Sequence, residues 1–416
     1  MSLLRSIRRV GLASRTDVAR YWSRAHPSRG EGLAIDMAGR DRAFFPFVWL
    51  RDSCLSPSCI HPSTSQKLHR SSDIPVDIRP AEGGVSLTDD GLRIRWADGH
   101  DSFFPPEFLW RHASLENLAE FHKDVEKRPW DGAKISSNPN LFVSYASLQQ
   151  PSGLLAAIDQ LCADGLLFVT GVPHTDTAEA TCELRKLAST FSQIRETFYG
   201  QVWDVVNMPD SINIAYTNLD LGLHMDLLHF KHPPQYQILH CLRNRVHGGT
   251  SRFVDALHAA TWLGARDAPA FALLADTPVP FHYINNGHHL HCAHPTLERG
   301  PGGAIAHINY SPPFQAPLRL DTPRAFYDAL AAFARALDDP ARTYEYTLAE
   351  GDAVIFDNRR VLHARTAFHD KEGAEEKTGE PNRWLKGCYF EADGLLDRGR
   401  MLRKRPPFIP SSLRLL

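Results

Sequence analysis

His224-Met225-Asp226 sets an imidazole and a carboxylate two positions apart. On a strand, positions i and i+2 point to the same face, so both side chains can reach one metal ion. The third ligand must then come from a distant segment. His363 is the best placed, just after the apolar run Ala353 to Phe356 and a polar turn. Two His and one carboxylate on one face of an octahedron leave three positions free, the arrangement of non-haem Fe(II) oxygenases. In a chain with 21 His, a lone His-x-Asp pair says little by itself. A β-rich context and a basic residue suited to an acidic cosubstrate add to it. Arg383 opens a strand-like run, and a guanidinium fork can hold a carboxylate bidentately. The bland alternative for Arg383 is an exposed strand-edge charge.

Elements that would position these groups are legible in the surrounding pattern. Helical spacing at Leu154, Leu155, Ile158 and Leu161 predicts a helix ending near Gly165, followed by a buried strand from Leu166 to Val169. A further helix is expected from about Ala178 to Phe191. Strands are expected at Gln235 to Leu242, Ser251 to Val254, Ala304 to Tyr310, Thr343 to Leu348, Ala353 to Phe356 and Trp384 to Phe390. One helix, with Phe326, Leu330, Phe333 and Leu337 on one face, interrupts them. The expected fold is mainly β with flanking helices, a sandwich or barrel. Ahead of it, residues 31–112 read as a small β domain, with a hairpin turning at Asp89-Asp90-Gly91. The polar stretch Lys134 to Asn140 is the expected boundary, and residues 135–416 form the larger domain.

Composition narrows the function. The chain has 416 residues, with 46 basic against 48 acidic side chains and a net charge of −2. That balance argues against a general nucleic-acid binder. The longest apolar candidate, Leu154 to Val172, is broken by Asp159 and Asp164, so no membrane span is expected. Seven scattered Cys suit a reducing compartment better than a disulfide framework. Residues 1–30 form a basic leader with seven Arg and one acid, Asp17. Such a segment reads as a mitochondrial presequence; a plain basic leader on a cytoplasmic protein is the alternative.

From about Phe45 to Leu402 the sequence resembles the γ-butyrobetaine dioxygenase and trimethyllysine dioxygenase group of 2-oxoglutarate-dependent oxygenases. The matching residues are Trp49-Leu50-Arg51-Asp52-Ser53-Cys54, Tyr199-Gly200 with Trp203, Asn213-Ile214-Ala215-Tyr216-Thr217, and His224 with Asp226. Pro233-Pro234 with Leu239-His240-Cys241, Gly248-Gly249 with Val254-Asp255, Arg360-Val361-Leu362-His363 with Arg365, and Gly387-Cys388-Tyr389 continue the series. The resemblance implies a double-stranded β-helix, or jelly roll, behind a small zinc-binding domain. It implies His224, Asp226 and His363 as iron ligands, Arg383 on the far carboxylate of 2-oxoglutarate, and Arg365 assisting. Fe(II), 2-oxoglutarate, O₂ and ascorbate would be the reaction's requirements, and a homodimer its assembly.

The resemblance also implies a small-molecule quaternary ammonium substrate caged by Tyr199, Trp203, Tyr216 and Tyr389, with Asn213 orienting its carboxylate. Aromatic faces attract such a cation; ordinary core aromatics are the alternative. Two residues depart from the γ-butyrobetaine enzyme: Leu227 replaces an aromatic, and Ser311 replaces an Asn. The leading expectation is hydroxylation of γ-butyrobetaine to L-carnitine. Trimethyllysine hydroxylation and a specialised-metabolism oxygenase on the same scaffold are the alternatives. A catalytically silent metal-binding protein is the non-enzyme alternative.

Cys54, Cys59 and His100 match the family's structural zinc site, and thiolates with an imidazole suit tetrahedral zinc. Ser56 stands where the family has another Cys. Zinc with a different fourth ligand and a site reduced to packing both remain open. His288-His289-Leu290-His291-Cys292-Ala293-His294 is expected to be a solvated loop; the resemblance would instead make it a lid.

Overall fold

In the computed structural model, residues 22–28, 31–37, 42–207, 217–371 and 380–403 are described, and the chain divides near residue 123 into two units. In the second unit, Leu166–Thr170 shows why two sheets face each other. Leu166 and Phe168 join one core with Phe253, Val354, Phe356 and Val361, while Leu167 and Val169 join another under helices. Both faces are covered, so the strand is apolar throughout. Its sheet runs Trp203–Val206, Arg383–Phe390, Tyr236–Asn244, Ala353–Asp357, Leu166–Thr170 and Phe142–Ser144, with Ile194–Arg195 also paired to Arg383–Phe390. Facing it is a four-stranded sheet of Leu221–His224, Val361–Arg365, Ser251–Asp255 and Thr343–Tyr346. Phe253 joins them edge-on to Phe168 at 5.7 Å and tilted against Phe356 at 5.8 Å. This is the jelly-roll core expected.

Helices Pro151–Asp164, Glu183–Phe191 and Ala392–Leu402 cover the outer face of the larger sheet. The first ends at Gly165, in the left-handed conformation at φ 71°. A Cβ there would lie 3.2 Å from Val361 and 3.3 Å from Asp357, so glycine serves both the turn and the approach. Beside it, Arg360 is buried and pairs with Asp255 at 2.8 Å while donating to the carbonyls of Ala163 and Arg128. This pair fixes the start of the strand that carries His363.

Several expectations shift. The helix expected from Ala178 begins at Glu183. Two further helices, Ala256–Gly264 and Ala268–Asp276, pack with Arg324–Leu337 outside the smaller sheet. They are Ala-rich and lack a strong polar stripe, so no periodicity marks them. The His-rich segment is not a loop: His288–Pro295 pairs antiparallel with Pro278–Asn285. The expected boundary at Lys134 to Asn140 falls inside the second unit, where Gly132–Ser136 is a helix.

The first unit holds two three-stranded sheets, Trp22–Ser28 with Gly32–Met37 and Arg42–Pro46, and Pro80–Thr88 with Gly91–Trp96 and Asp101–Phe104. Trp22–Ser28 lies within the stretch expected as leader; residues 1–21 are outside the described residues. Leu33, Ile35, Leu92, Ile94, Trp96 and Phe104 form its core. Among the described residues, no helix is long and apolar enough to cross a membrane.

Candidate active site

His224 ends the strand Leu221–His224 and lies directly opposite His363, with ring centroids 4.1 Å apart. Asp226 is past the end of that strand, so the pleat alone does not bring it to the same face as His224. A turn does. Met225 N donates to Tyr310 O at 2.9 Å, and Asp226 N donates to Asn358 Oδ1 at 2.8 Å. Asn358 Nδ2 returns bonds of 3.1 Å to Asp226 O and Pro234 O. Leu227 follows at φ 61°, a left-handed conformation unusual for leucine. The outcome is the cluster expected: His224, Asp226 and His363 each offer a ligand atom within 4.8 Å of the others.

Protonation in this cluster suits a divalent cation. His224 Nδ1 lies 2.8 Å from Gly222 O, and a carbonyl only accepts, so Nδ1–H donates there and Nε2 is the atom turned toward the cluster. Nε2 is 3.5 Å from Asp226 Oδ1. Burial, with the neighbouring His224, pushes the His363 imidazole down to about 3, so it is neutral near pH 7. His363 Nδ1 is buried without a hydrogen-bond partner. Burial opposes ionisation of Asp226, yet hydrogen bonds from His224 and Tyr389 and the two imidazoles hold its carboxyl well below the usual range. Tyr389 Oη donates to Asp226 Oδ2 at 2.7 Å. Two imidazoles and a carboxylate, one nitrogen without a hydrogen-bond partner, form a donor set that fits Fe(II).

The cluster lines a pocket that opens to solvent. Arg383 reaches the same pocket and is 6% exposed. Among the described residues no carboxylate pairs with it; its guanidinium lies 5.1 Å over the Phe368 ring. Burial and the nearby Arg365 pull it down to about 10. A buried, unpaired cation calls for an anionic ligand. Gly249, at φ 69°, leaves it room: a Cβ there would lie 3.1 Å from Arg383 Nε. Arg365 also lines the pocket, but its Nη2 donates to Thr217 O at 2.8 Å and Leu219 O at 2.5 Å. It therefore ties down the chain leading into Leu221–His224.

Tyr199, Trp203 and Tyr389 line the pocket as expected. Trp203 and Tyr389 stack on each other, with centroids 4.3 Å apart and planes at 28°, while Tyr199 is 6.1 Å from Trp203. Asn213 and Tyr216 lie outside the described residues. Leu227 is a lining residue, whereas Ser311 is buried with its hydroxyl unpartnered and is not among the lining residues. Gln237 and Ser251 line the pocket and were missed. The available signals were a polar residue inside the apolar run Tyr236 to Leu239, and a hydroxyl just after Gly248-Gly249.

The first unit contains a second cluster. Cys54 Sγ is 3.2 Å and Cys59 Sγ 3.5 Å from His100 Nε2. Ser56 Oγ stands 3.3 Å from Cys54 Sγ and 3.5 Å from His100 Nε2, so a hydroxyl occupies the place of a fourth donor. The two thiols and the imidazole each offer a ligand atom within 4.8 Å of the others, a spacing that suits a tetrahedral zinc ion with one further donor. His61 does not join them; its Nδ1 faces Ser63 and Thr64.

Residues 134–389 match the family model described as taurine catabolism dioxygenase TauD, TfdA family, and residues 25–110 match gamma-butyrobetaine hydroxylase-like, N-terminal. The chain is 55% identical to dioxygenase str8 of Strobilurus tenacellus, over 86% of this chain and 85% of that one. It is 32% identical to gamma-butyrobetaine dioxygenase of Pseudomonas sp. (strain AK-1), over 91% and 95%. Identity to mitochondrial trimethyllysine dioxygenase of Bos taurus is 29%, over 86% and 82%.

Proposed function

Because the chain belongs to the TauD, TfdA family of dioxygenases, we propose that its second unit is a hydroxylase in which His224, Asp226 and His363 hold Fe(II) and Arg383 holds the far carboxylate of 2-oxoglutarate. Dependence on Fe(II) and 2-oxoglutarate comes with the family, and the silent-protein alternative falls with it. The observation that carries the residue assignment is one pocket holding both a three-donor cluster and a buried guanidinium with no acid partner among the described residues. When bound, the metal and keto acid supply oxidative decarboxylation with O₂, giving succinate, CO₂ and an oxygen atom for a substrate C–H bond.

The chain's own residues do the positioning. Tyr389 holds the Asp226 carboxylate ionised and oriented through its 2.7 Å bond. Arg383 anchors the keto acid at the far end of the pocket floor, six residues along the strand from Tyr389. Phe253, Leu239 and Leu385 keep water from the space between. Orientation of the C–H bond is then a matter of pocket shape.

For the substrate, the relatives support a small trimethylammonium carboxylate, γ-butyrobetaine to L-carnitine first and trimethyllysine second. Tyr199 and Trp203 offer aromatic faces to such a cation. A second reading, a different small molecule on the same scaffold, is supported by Leu227 and by the Trp203 and Tyr389 stack, which closes two ring faces against each other. Purified protein with Fe(II), ascorbate and 2-oxoglutarate should release succinate, and Asp226→Ala should stop it. Survival of succinate release in that variant would reject the ligand assignment. Stimulation by γ-butyrobetaine, by trimethyllysine or by neither separates the substrates.

Zinc at Cys54, Cys59 and His100, ascorbate as the reductant, a homodimer and mitochondrial targeting by residues 1–30 are part of the same proposal. Metal analysis, turnover with and without ascorbate, light scattering and a leader fusion test them in turn.

A further inference from the structure

We infer that the pocket takes an uncharged, largely apolar small molecule bearing one hydrogen-bonding group, which Gln237 reads. The inference rests on the reading of this site as an Fe(II) and 2-oxoglutarate oxygenase, and it takes up the second of the two substrate readings, a small molecule other than a trimethylammonium carboxylate, and names its class.

Charge comes first. Among the described lining residues the formal charges are Asp226, Arg365 and Arg383. Asp226 belongs to the metal, and both remaining charges are positive. Adding a doubly charged metal and a doubly anionic keto acid leaves the pocket with a positive excess. Among the described lining residues a substrate cation finds no carboxylate besides that of Asp226, so nothing there matches its desolvation.

Aromatic faces do not make up the difference. The facing surfaces of Trp203 and Tyr389 are in contact at 4.3 Å, so no cation can lie between them. The Tyr389 hydroxyl is held on Asp226. Leu227 supplies an alkyl wall and is 2% exposed. What remains among the described residues is Tyr199 with the outer face of Trp203, set among Leu221, Leu227, Leu239, Phe253 and Phe314. Such walls reward apolar area.

Two polar lining residues, Gln237 and Ser251, have been given no part in holding metal or keto acid, and of the two only Gln237 has a buried atom without a hydrogen-bond partner. Gln237 is buried, its Oε1 has no hydrogen-bond partner, and it lines the pocket. It sits directly opposite Tyr389 in the sheet, so both side chains share the face beside the metal carboxylate. A buried carboxamide left unpaired is costly, and a ligand donor would satisfy it.

The test uses two probes of one shape. The first is γ-butyrobetaine. The second replaces its trimethylammonium by tert-butyl and its carboxylate by a carboxamide. Titration calorimetry is run anaerobically on full-length protein loaded with Fe(II) and 2-oxoglutarate. The uncharged amide should bind at least about tenfold more tightly, and Gln237→Leu should lose about tenfold of that affinity. Leu227→Tyr should shift the preference back toward the betaine. Any other result in the wild-type comparison, including binding of neither probe, overturns the inference. Failure of the underlying reading is distinguishable, because the protein would then not bind 2-oxoglutarate in an Fe(II)-dependent way at all.

Discussion

In the second unit the donor atoms come from separate stretches of chain: a strand end, the turn beyond it and a neighbouring strand. In the first unit Cys54, Ser56 and Cys59 share one tight turn, closed by Cys59 N and Ile60 N donating to Ser56 O at 2.8 and 2.9 Å, and only His100 comes from elsewhere. The first arrangement is nitrogen and oxygen beside a pocket. The second is sulfur-rich, its thiols 0% and 3% exposed, with Arg51 Nη1 3.6 Å from Cys59 Sγ. A cluster gathered from paired strands cannot lose a member without losing its purpose. A cluster gathered in one turn can hold a hydroxyl beside its thiols, as it does at Ser56.

The strongest way to break this contrast is Asp226→Ala. Keto-acid turnover should vanish, while the urea midpoint should correspond to a stability change of less than about 1 kcal/mol. Arg383→Leu should come next. Truncating one partner of a buried charge pair costs roughly 2–5 kcal/mol, so the apparent affinity for 2-oxoglutarate should fall about a hundredfold in calorimetry. Cys54→Ala should do the reverse of Asp226→Ala. Zinc by atomic absorption should disappear and the first unit should lose roughly 2 kcal/mol, with succinate release intact. If succinate release fell with the zinc, the two clusters would not be separable.

Acid should sharpen the same contrast more gently. Burial holds His229 and His240 of the second unit down to about 4, against 6.5 for an unfolded imidazole. Between those values the unfolded chain takes up protons that the folded one refuses. Stability is therefore complete above pH 6.5 and declines as the pH falls toward 4. Denaturant midpoints at pH 7 and 5 should show this loss, and His240→Leu should reduce it. The smallest effect expected is Ser56→Cys, which should tighten zinc in a chelator competition by about tenfold, thiolate being the softer donor. Unchanged affinity would mean that the hydroxyl already serves as well.

The three members of the His224, Asp226 and His363 cluster were legible because residue type and order survive in the motif even without geometry. The double-sided cover of Leu166 to Val169 was legible because apolar runs of that length have few other fates. The route by which Asp226 reaches its partners was not. It depends on Asn358, 132 residues away, and on a positive φ at Leu227, and neither leaves a local pattern. The hairpin at His288–Pro295 was hidden by its composition, since polar residues on both faces erase the alternation that marks a strand. Gln237 was hidden differently: one amide in an apolar strand reads as noise until its unsatisfied oxygen is seen.

Asn358 has a practical consequence. One carboxamide accepts from Asp226 N and donates to Asp226 O and Pro234 O, so the liganding turn is fastened before any ion arrives. Filling such a seat requires little new ordering. Cobalt or manganese should therefore settle there without refolding, yielding redox-quiet replicas in which guest molecules can be soaked and watched at leisure.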